Sequence, residues 1–256
     1  MSEYFDSHCH LTAAAFSGDL DETLLRAVEN GVTRWVTIAS DLEDAYDALD
    51  LVKDRTGAWS TAGVHPHEAA EAPADAIERI RELASSHEKI VAIGETGLDF
   101  YYDNVPRDMQ RRLFAEHLAL GFELDLPVVV HARAADSDVA AALRSMPAGT
   151  SGVLHCFTGG PLAFDEALSA GWYVSFSGIA SFKSFEAVEL LRAVPEDRLL
   201  IETDSPYLAP VPQRGRRNEP GYVPYVAEAV AHHLKSDPRE IGRLTSENAC
   251  CFYGVR

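Results

Sequence analysis

The chain has 256 residues, 46% hydrophobic and 24% charged, which suits one large globular domain or two modest ones. Its net charge of −18 at pH 7, from 40 acidic and 22 basic residues, argues against broad non-specific binding to duplex nucleic acid, which needs clustered cations. No apolar stretch approaches the roughly 20 residues of a membrane helix. There is no basic-then-apolar leader, and Cys9, Cys156, Cys250 and Cys251 form no disulfide framework, so a reducing, cytoplasmic setting with no membrane partner is expected.

The first β-like run, Tyr4–Ser7, leads into His8 and His10. A His-x-His on a strand turns both rings to one face and Cys9 to the other. Helical periodicity over Asp19–Glu29 precedes a run at Arg34–Ala39, then a helix over Leu42–Arg55. Trp59–Val64 reads as the third strand and delivers His65 in the segment GVHPH. A helix over Asp75–Ser85 follows, then Ile90–Gly94, which ends at Glu95. After a helix over Arg107–Leu124, the strand Pro127–Val130 presents His131 and, two residues on, Arg133. A helix over Ser137–Ser145 and a strand at Gly152–Leu154 bring the chain to His155. Next come a helix over Pro161–Ala170, a strand at Trp172–Ser175, a helix over Phe185–Ala193 and a strand at Leu199–Ile201. Asp204 and Ser205 follow that strand, ahead of an Arg-rich loop with Arg214, Arg216, Arg217 and Asn218. Helices over Pro224–Leu234 and Pro238–Phe252 complete the pattern.

Eight β–α alternations without a linker or repeat predict an α/β fold, a single (β/α)8 TIM barrel spanning residues 1–256 with an additional C-terminal helix. The rival, a doubly wound open sheet, lacks a glycine-rich phosphate fingerprint after the first strand. In a barrel the C-terminal strand ends converge on one rim. His8, His10, Glu95, His131, His155 and Asp204 would therefore meet there, and four imidazoles with two carboxylates suit two divalent ions, Mg2+, Mn2+ or Zn2+. No lysine stands at a strand's C-terminal end, which leaves Glu95 as the bridge between the ions. One ion is assigned to His8, His10, Glu95 and Asp204 and the other to Glu95, His131 and His155; moving Asp204 between them fits equally well. Asp204 is the candidate to take a water's proton, or is a ligand only. His65 would contact substrate or orient a ligand. Arg133, Arg217, Asn218 and Ser205 are candidates to hold an anionic substrate, since Arg forks match phosphate oxygens. The aromatic run Phe100, Tyr101 and Tyr102 would either stack a base or cap the barrel.

Taken in order, DSHCHL, GVHPH, GETGLDFY, VVVHAR, HCFTG, ETDSPYL and RGRRNEP resemble the TatD family of DNases, across essentially the whole chain. The resemblance implies a TIM barrel of the amidohydrolase superfamily with the six metal ligands named above. It implies metal-dependent phosphodiester hydrolysis by a metal-bound hydroxide, as a 3'-5' exonuclease on single-stranded DNA or RNA ends or short oligonucleotides. The alternative it leaves is ester or amide hydrolysis, such as deacylation of D-aminoacyl-tRNA. A monomer is expected.

Overall fold

The computed structural model describes residues 4–102 and 104–255; Met1–Glu3, Asp103 and Arg256, which fall within the expected domain, lie outside the described residues. Eight strands form, β1 (Tyr4–Cys9), β2 (Val32–Thr37), β3 (Ala58–Ala62), β4 (Ile90–Asp99), β5 (Val128–Arg133), β6 (Gly152–Leu154), β7 (Tyr173–Phe176) and β8 (Leu199–Ile201). They pair in sequence order, each parallel to the next. The helices are α1 (Leu20–Glu29), α2 (Leu42–Val52), α3 (Ala76–Ser86), α4 (Arg107–Leu124), α5 (Asp136–Ser145), α6 (Pro161–Ser169), α7 (Val188–Ala193), α8 (Val223–Leu234) and α9 (Pro238–Tyr253). The expected alternation is therefore present. Strand β4 departs from the reading, because it runs on past Gly94 to Asp99 and carries Glu95 inside it.

Short apolar runs without alternation become strands buried on both faces. Phe5, Val36, Val91, Val129, Val153 and Leu200 form one cluster with Phe252 and Tyr253 of α9. Val129 and Val153 stand two residues before His131 and His155 and share their side of the chain, so this apolar layer underlies the histidines. Helix α9 seals it from beneath, and the Tyr253 hydroxyl donates to the Ser7 carbonyl at 2.7 Å. A larger cluster fills the space between strands and surrounding helices, with Ile80, Phe114, Val139 and Val226 in it.

The join between β1 and β8 is of a different kind. It has one isolated bridge, Cys9 with Ser205, instead of a ladder. The amide of His10 donates to the Ser205 carbonyl at 2.7 Å, and that of Asp204 to the His8 carbonyl at 2.9 Å. The Ser7 hydroxyl donates to the Ile201 carbonyl. The wholly buried Asp6 carboxylate accepts the Thr203 amide at 2.8 Å and the Thr203 hydroxyl at 2.5 Å.

Two outcomes follow from this packing. Asp6→Ala leaves the buried Thr203 amide without an acceptor, which costs about 3 kcal/mol and lowers Tm by about 6–12 °C for a chain of this size; unchanged thermal unfolding would remove Asp6 from the seam. His117 of α4 is wholly buried, donating from Nδ1 to the Leu113 carbonyl and accepting the Val64 amide at Nε2. Burial pulls its pKa from 6.5 to about 4. The unfolded chain therefore binds this proton first as pH falls. The ring's contribution is complete above pH 6.5 and is lost between there and about pH 4. The stability difference between the wild type and His117→Gln should shrink by about 3 kcal/mol over that range, read by denaturant unfolding at both pH values.

Candidate metal centre

Six side chains expected to meet do so at the C-terminal rim of the barrel. His8 lies within β1 and His10 just beyond it; His131 lies within β5, His155 directly after β6, and Asp204 beyond β8. Glu95 is aimed inward by an irregularity in the β4–β5 pairing between Ile93 and Thr96. Gly94 makes that geometry possible, with φ +136° and a backbone so close to β5 that an added Cβ would fall 2.6 Å from the Val129 carbonyl oxygen. Cys156 and Asp204 take left-handed backbone angles, φ 43° and 57°, where non-glycine residues store strain of order 1–2 kcal/mol.

The carboxylate of Glu95, 2% exposed, divides the site. Its Oε2 stands 3.4 Å from His8 Nε2 and 3.8 Å from His10 Nε2. Asp204 Oδ1 stands 3.7 and 3.4 Å from the same two nitrogens, which are 3.2 Å apart. The other oxygen, Oε1, lies 2.8 Å from His155 Nε2 and 3.2 Å from His131 Nδ1, themselves 3.4 Å apart. Ligand atoms sharing one tetrahedral ion with bonds of about 2.1 Å stand about 3.4 Å apart. Both donor sets therefore have the spacing a divalent ion requires, and His8, His10 and Glu95 form a group able to hold one.

The protons on the rings agree. His10 Nδ1 faces the Ile38 carbonyl at 3.1 Å, His155 Nδ1 faces Glu202 Oε1 at 3.1 Å, and His131 Nε2 faces Asp99 Oδ2 at 3.2 Å. Each of these partners can only accept, so the neutral ring keeps its hydrogen there and turns a bare nitrogen toward Glu95. His8 stacks on His155 with centroids 3.9 Å apart and planes 7° apart, which disfavours charge on both rings. His8 Nδ1 is buried without a partner. Burial alone would raise the Glu95 pKa; with a proton on His155 in place of a cation, that ring's charge and hydrogen bonds from His131 and His155 instead hold the carboxyl well below its usual range. Asp99 behaves likewise, with His131 as its main counterweight to burial.

His65 differs from the four other rings. Its Nδ1 accepts the His67 amide at 3.1 Å, so the neutral ring carries its proton on Nε2. That N–H points into the site, 3.6 Å from Glu95 Oε1. Burial pushes the pKa of His65 down to about 3, which keeps the ring neutral.

His10, His65, Glu95, Asp99, His131, His155 and Asp204 line a cavity of about 500 Å3 together with Glu68, Tyr102, Arg133 and Tyr207. Four carboxylates, from Glu68, Glu95, Asp99 and Asp204, face it against one guanidinium, that of Arg133. Cys156 also lines it. Its thiol bonds Ser177 Oγ at 3.0 Å, and burial raises its pKa well above the ordinary range, so it supplies no thiolate.

Three residues expected at the substrate stand elsewhere. Arg217 forms a fork on Asp19, at 2.6 and 2.7 Å, and donates to the Ala15 carbonyl; it ties the loop after β8 to the start of α1. Asn218 is wholly buried and donates to the carbonyls of Thr203 and Tyr207, holding that loop's shape. Ser205 is wholly buried in the seam. Conversely, Asp99 and Glu202, which orient His131 and His155, went unweighed in the sequence. Their signal is an acid beside a buried strand end, in GETGLD and LLIETD.

A family model described as TatD related DNase matches residues 5–254. An uncharacterized metal-dependent hydrolase of Bacillus subtilis, YabD, is 40% identical over 247 residues, 96% of each chain. A protein of Musicola paradisiaca named 3'-5' ssDNA/RNA exonuclease TatD is 39% identical over 256 residues, again 96% of each. The crystal structure of YJJV, a TatD homolog from Escherichia coli K12, superposes with a TM-score of 0.92 at 25% identity, covering 100% of this chain and 99% of that one. The match over nearly the full chain makes this chain a member of the TatD-related DNase family and an enzyme of that family.

Proposed function

We propose that the chain is a divalent-metal-dependent phosphodiesterase that removes nucleotides from single-stranded DNA or RNA ends, as a 3'-5' exonuclease. The observation that carries this reading is the division of Glu95, one oxygen toward His8, His10 and Asp204 and the other toward His131 and His155. Two ions, Mg2+, Mn2+ or Zn2+, would be held by those two sets with Glu95 between them. Such a pair supplies Lewis acidity at phosphoryl oxygens and a water acidic enough to react near neutral pH. Relatives named as 3'-5' ssDNA/RNA exonucleases, at 39% and 37% identity, support the choice of bond and substrate.

The chain's own residues would do the rest. Asp204, at the mouth-facing side of the first set, accepts the proton of the attacking water. The His65 Nε2–H donates to an anionic oxygen of the phosphate. Arg133, at the end of β5, holds a second oxygen. Every part of this centre comes from one chain, which supports a working monomer. The four free thiols support a cytoplasmic setting, and among the described residues no helix is long and apolar enough to cross a membrane.

Metal-stripped protein titrated with Mn2+ should take up two ions, and Glu95→Ala should hold neither tightly. His155→Ala should lose at least about a thousandfold in turnover of end-labelled single-stranded DNA while its circular dichroism is retained; wild-type-like shortening of the strand by that variant would sink the assignment. The charge of the cavity sets a second outcome. With one guanidinium facing it, KM for a single strand should rise only about three- to sevenfold between roughly 50 and 200 mM salt. A rise of about a thousandfold would mean a long basic track elsewhere on the surface.

A further inference from the structure

The aromatic run after Glu95 splits into two kinds of residue. Phe100 is buried, with the guanidinium groups of Arg107 and Arg111 over its ring at 4.5 and 5.3 Å; it caps the barrel. Tyr101 and Tyr102 face outward, 64% and 50% exposed. The two rings stand edge to face at the lip of the cavity, with centroids 5.0 Å apart. They are also held in place. The amides of Tyr101 and Tyr102 both donate to Asp99 Oδ1, at 2.9 and 3.2 Å. The other oxygen of the same carboxylate takes His131 Nε2 at 3.2 Å and His67 Nε2 at 3.0 Å. One buried carboxylate thus fixes both the turn that carries the rings and a histidine of the metal centre.

Arg133 joins the two regions. Its guanidinium lies 4.4 Å from the Tyr101 centroid and 4.8 Å from that of Tyr102, at the edge of the cavity. A phosphate bound in the cavity and held by Arg133 would have its neighbouring base beside these rings. Aromatic faces bind unpaired bases without regard to sequence, because every base has a π-face, and a base inside a duplex has both faces taken by its neighbours.

We propose that Tyr101 and Tyr102, braced by Asp99 and flanked by Arg133, form a stacking subsite for an unpaired nucleobase next to the phosphate being cleaved. The proposal rests on the phosphodiesterase reading above. It makes the rings, and not a basic track, the source of any preference for single-stranded ends on so acidic a protein.

The test uses the Mn2+-loaded enzyme and two end-labelled single strands of one sequence. One carries all its bases, and the other has tetrahydrofuran abasic residues at the two nucleotides of the cleaved end. The wild type should prefer the base-bearing end by about tenfold in kcat/KM, mainly through KM. The double variant Tyr101→Ala/Tyr102→Ala should lose that preference, and Tyr101→Phe/Tyr102→Phe should retain it. Loss of Arg133 orientation alone would slow both strands equally and leave the preference standing. A wild type indifferent to the bases, or an Ala pair that still prefers them, overturns the subsite while the phosphodiesterase reading stands. Cleavage of neither strand by the wild type overturns that reading and the subsite with it.

Discussion

The barrel depends on a seam that has no ladder. Seven strand pairs are joined by main-chain hydrogen bonds along their length, whereas β1 and β8 meet through one bridge, two main-chain bonds, a serine hydroxyl and the carboxylate of Asp6. A ladder would have tied alternate residues of β1 to β8. The sparse join instead leaves the chain free to bend at His8, His10 and Asp204, and the left-handed backbone at Asp204 is one such bend. Half of the proposed metal centre is therefore built into the barrel's weakest lateral contact. The strain is held because Thr203 and Asn218 pin the same few residues from outside.

Electrostatics at the rim follow from the same economy of groups. The protein is acidic throughout, and its cavity is acidic too, with a single guanidinium facing it. In many nucleic-acid binders a field of lysines draws in the polyanion. Under the proposed function, attraction at the rim would come from Arg133 and from cations held by Glu95, Asp204 and the four histidines. Of the three arginines of the loop after β8, Arg217 is held by Asp19 and Arg214 lies over the Phe182 ring.

Much of this was legible in the residues. Alternating apolar runs and helical periods define a barrel, because each strand must be apolar on both faces and each helix on one. The six converging side chains were visible because a polar group at a buried strand end is costly without a purpose. Other features depend on contacts far along the chain. Arg217 looked like a phosphate fork, but its acceptor is Asp19, 198 positions away. Asn218 and Ser205 sit beside Asp204 in sequence, yet the turn after β8 buries them. The length of β4 was misread because Gly94 and Gly97 look like terminators, while here they let β4 press against β5. Tyr101 and Tyr102 could be told from Phe100 only once the turn that exposes them was known.

The seam also has a meaning for how the molecule comes to exist. It ties residues 6–10 to residues 201–205, and the Tyr253 hydroxyl closes on Ser7 across 246 positions of chain. Contacts of such span must wait for the intervening chain to order itself, and their loop-closure entropy is paid late. During synthesis, His8 and His10 emerge first but have no Asp204 to face until the eighth strand has left the ribosome. The proposed metal centre is thus a product of completed folding, because five of its six side chains precede β8 and Asp204 follows it.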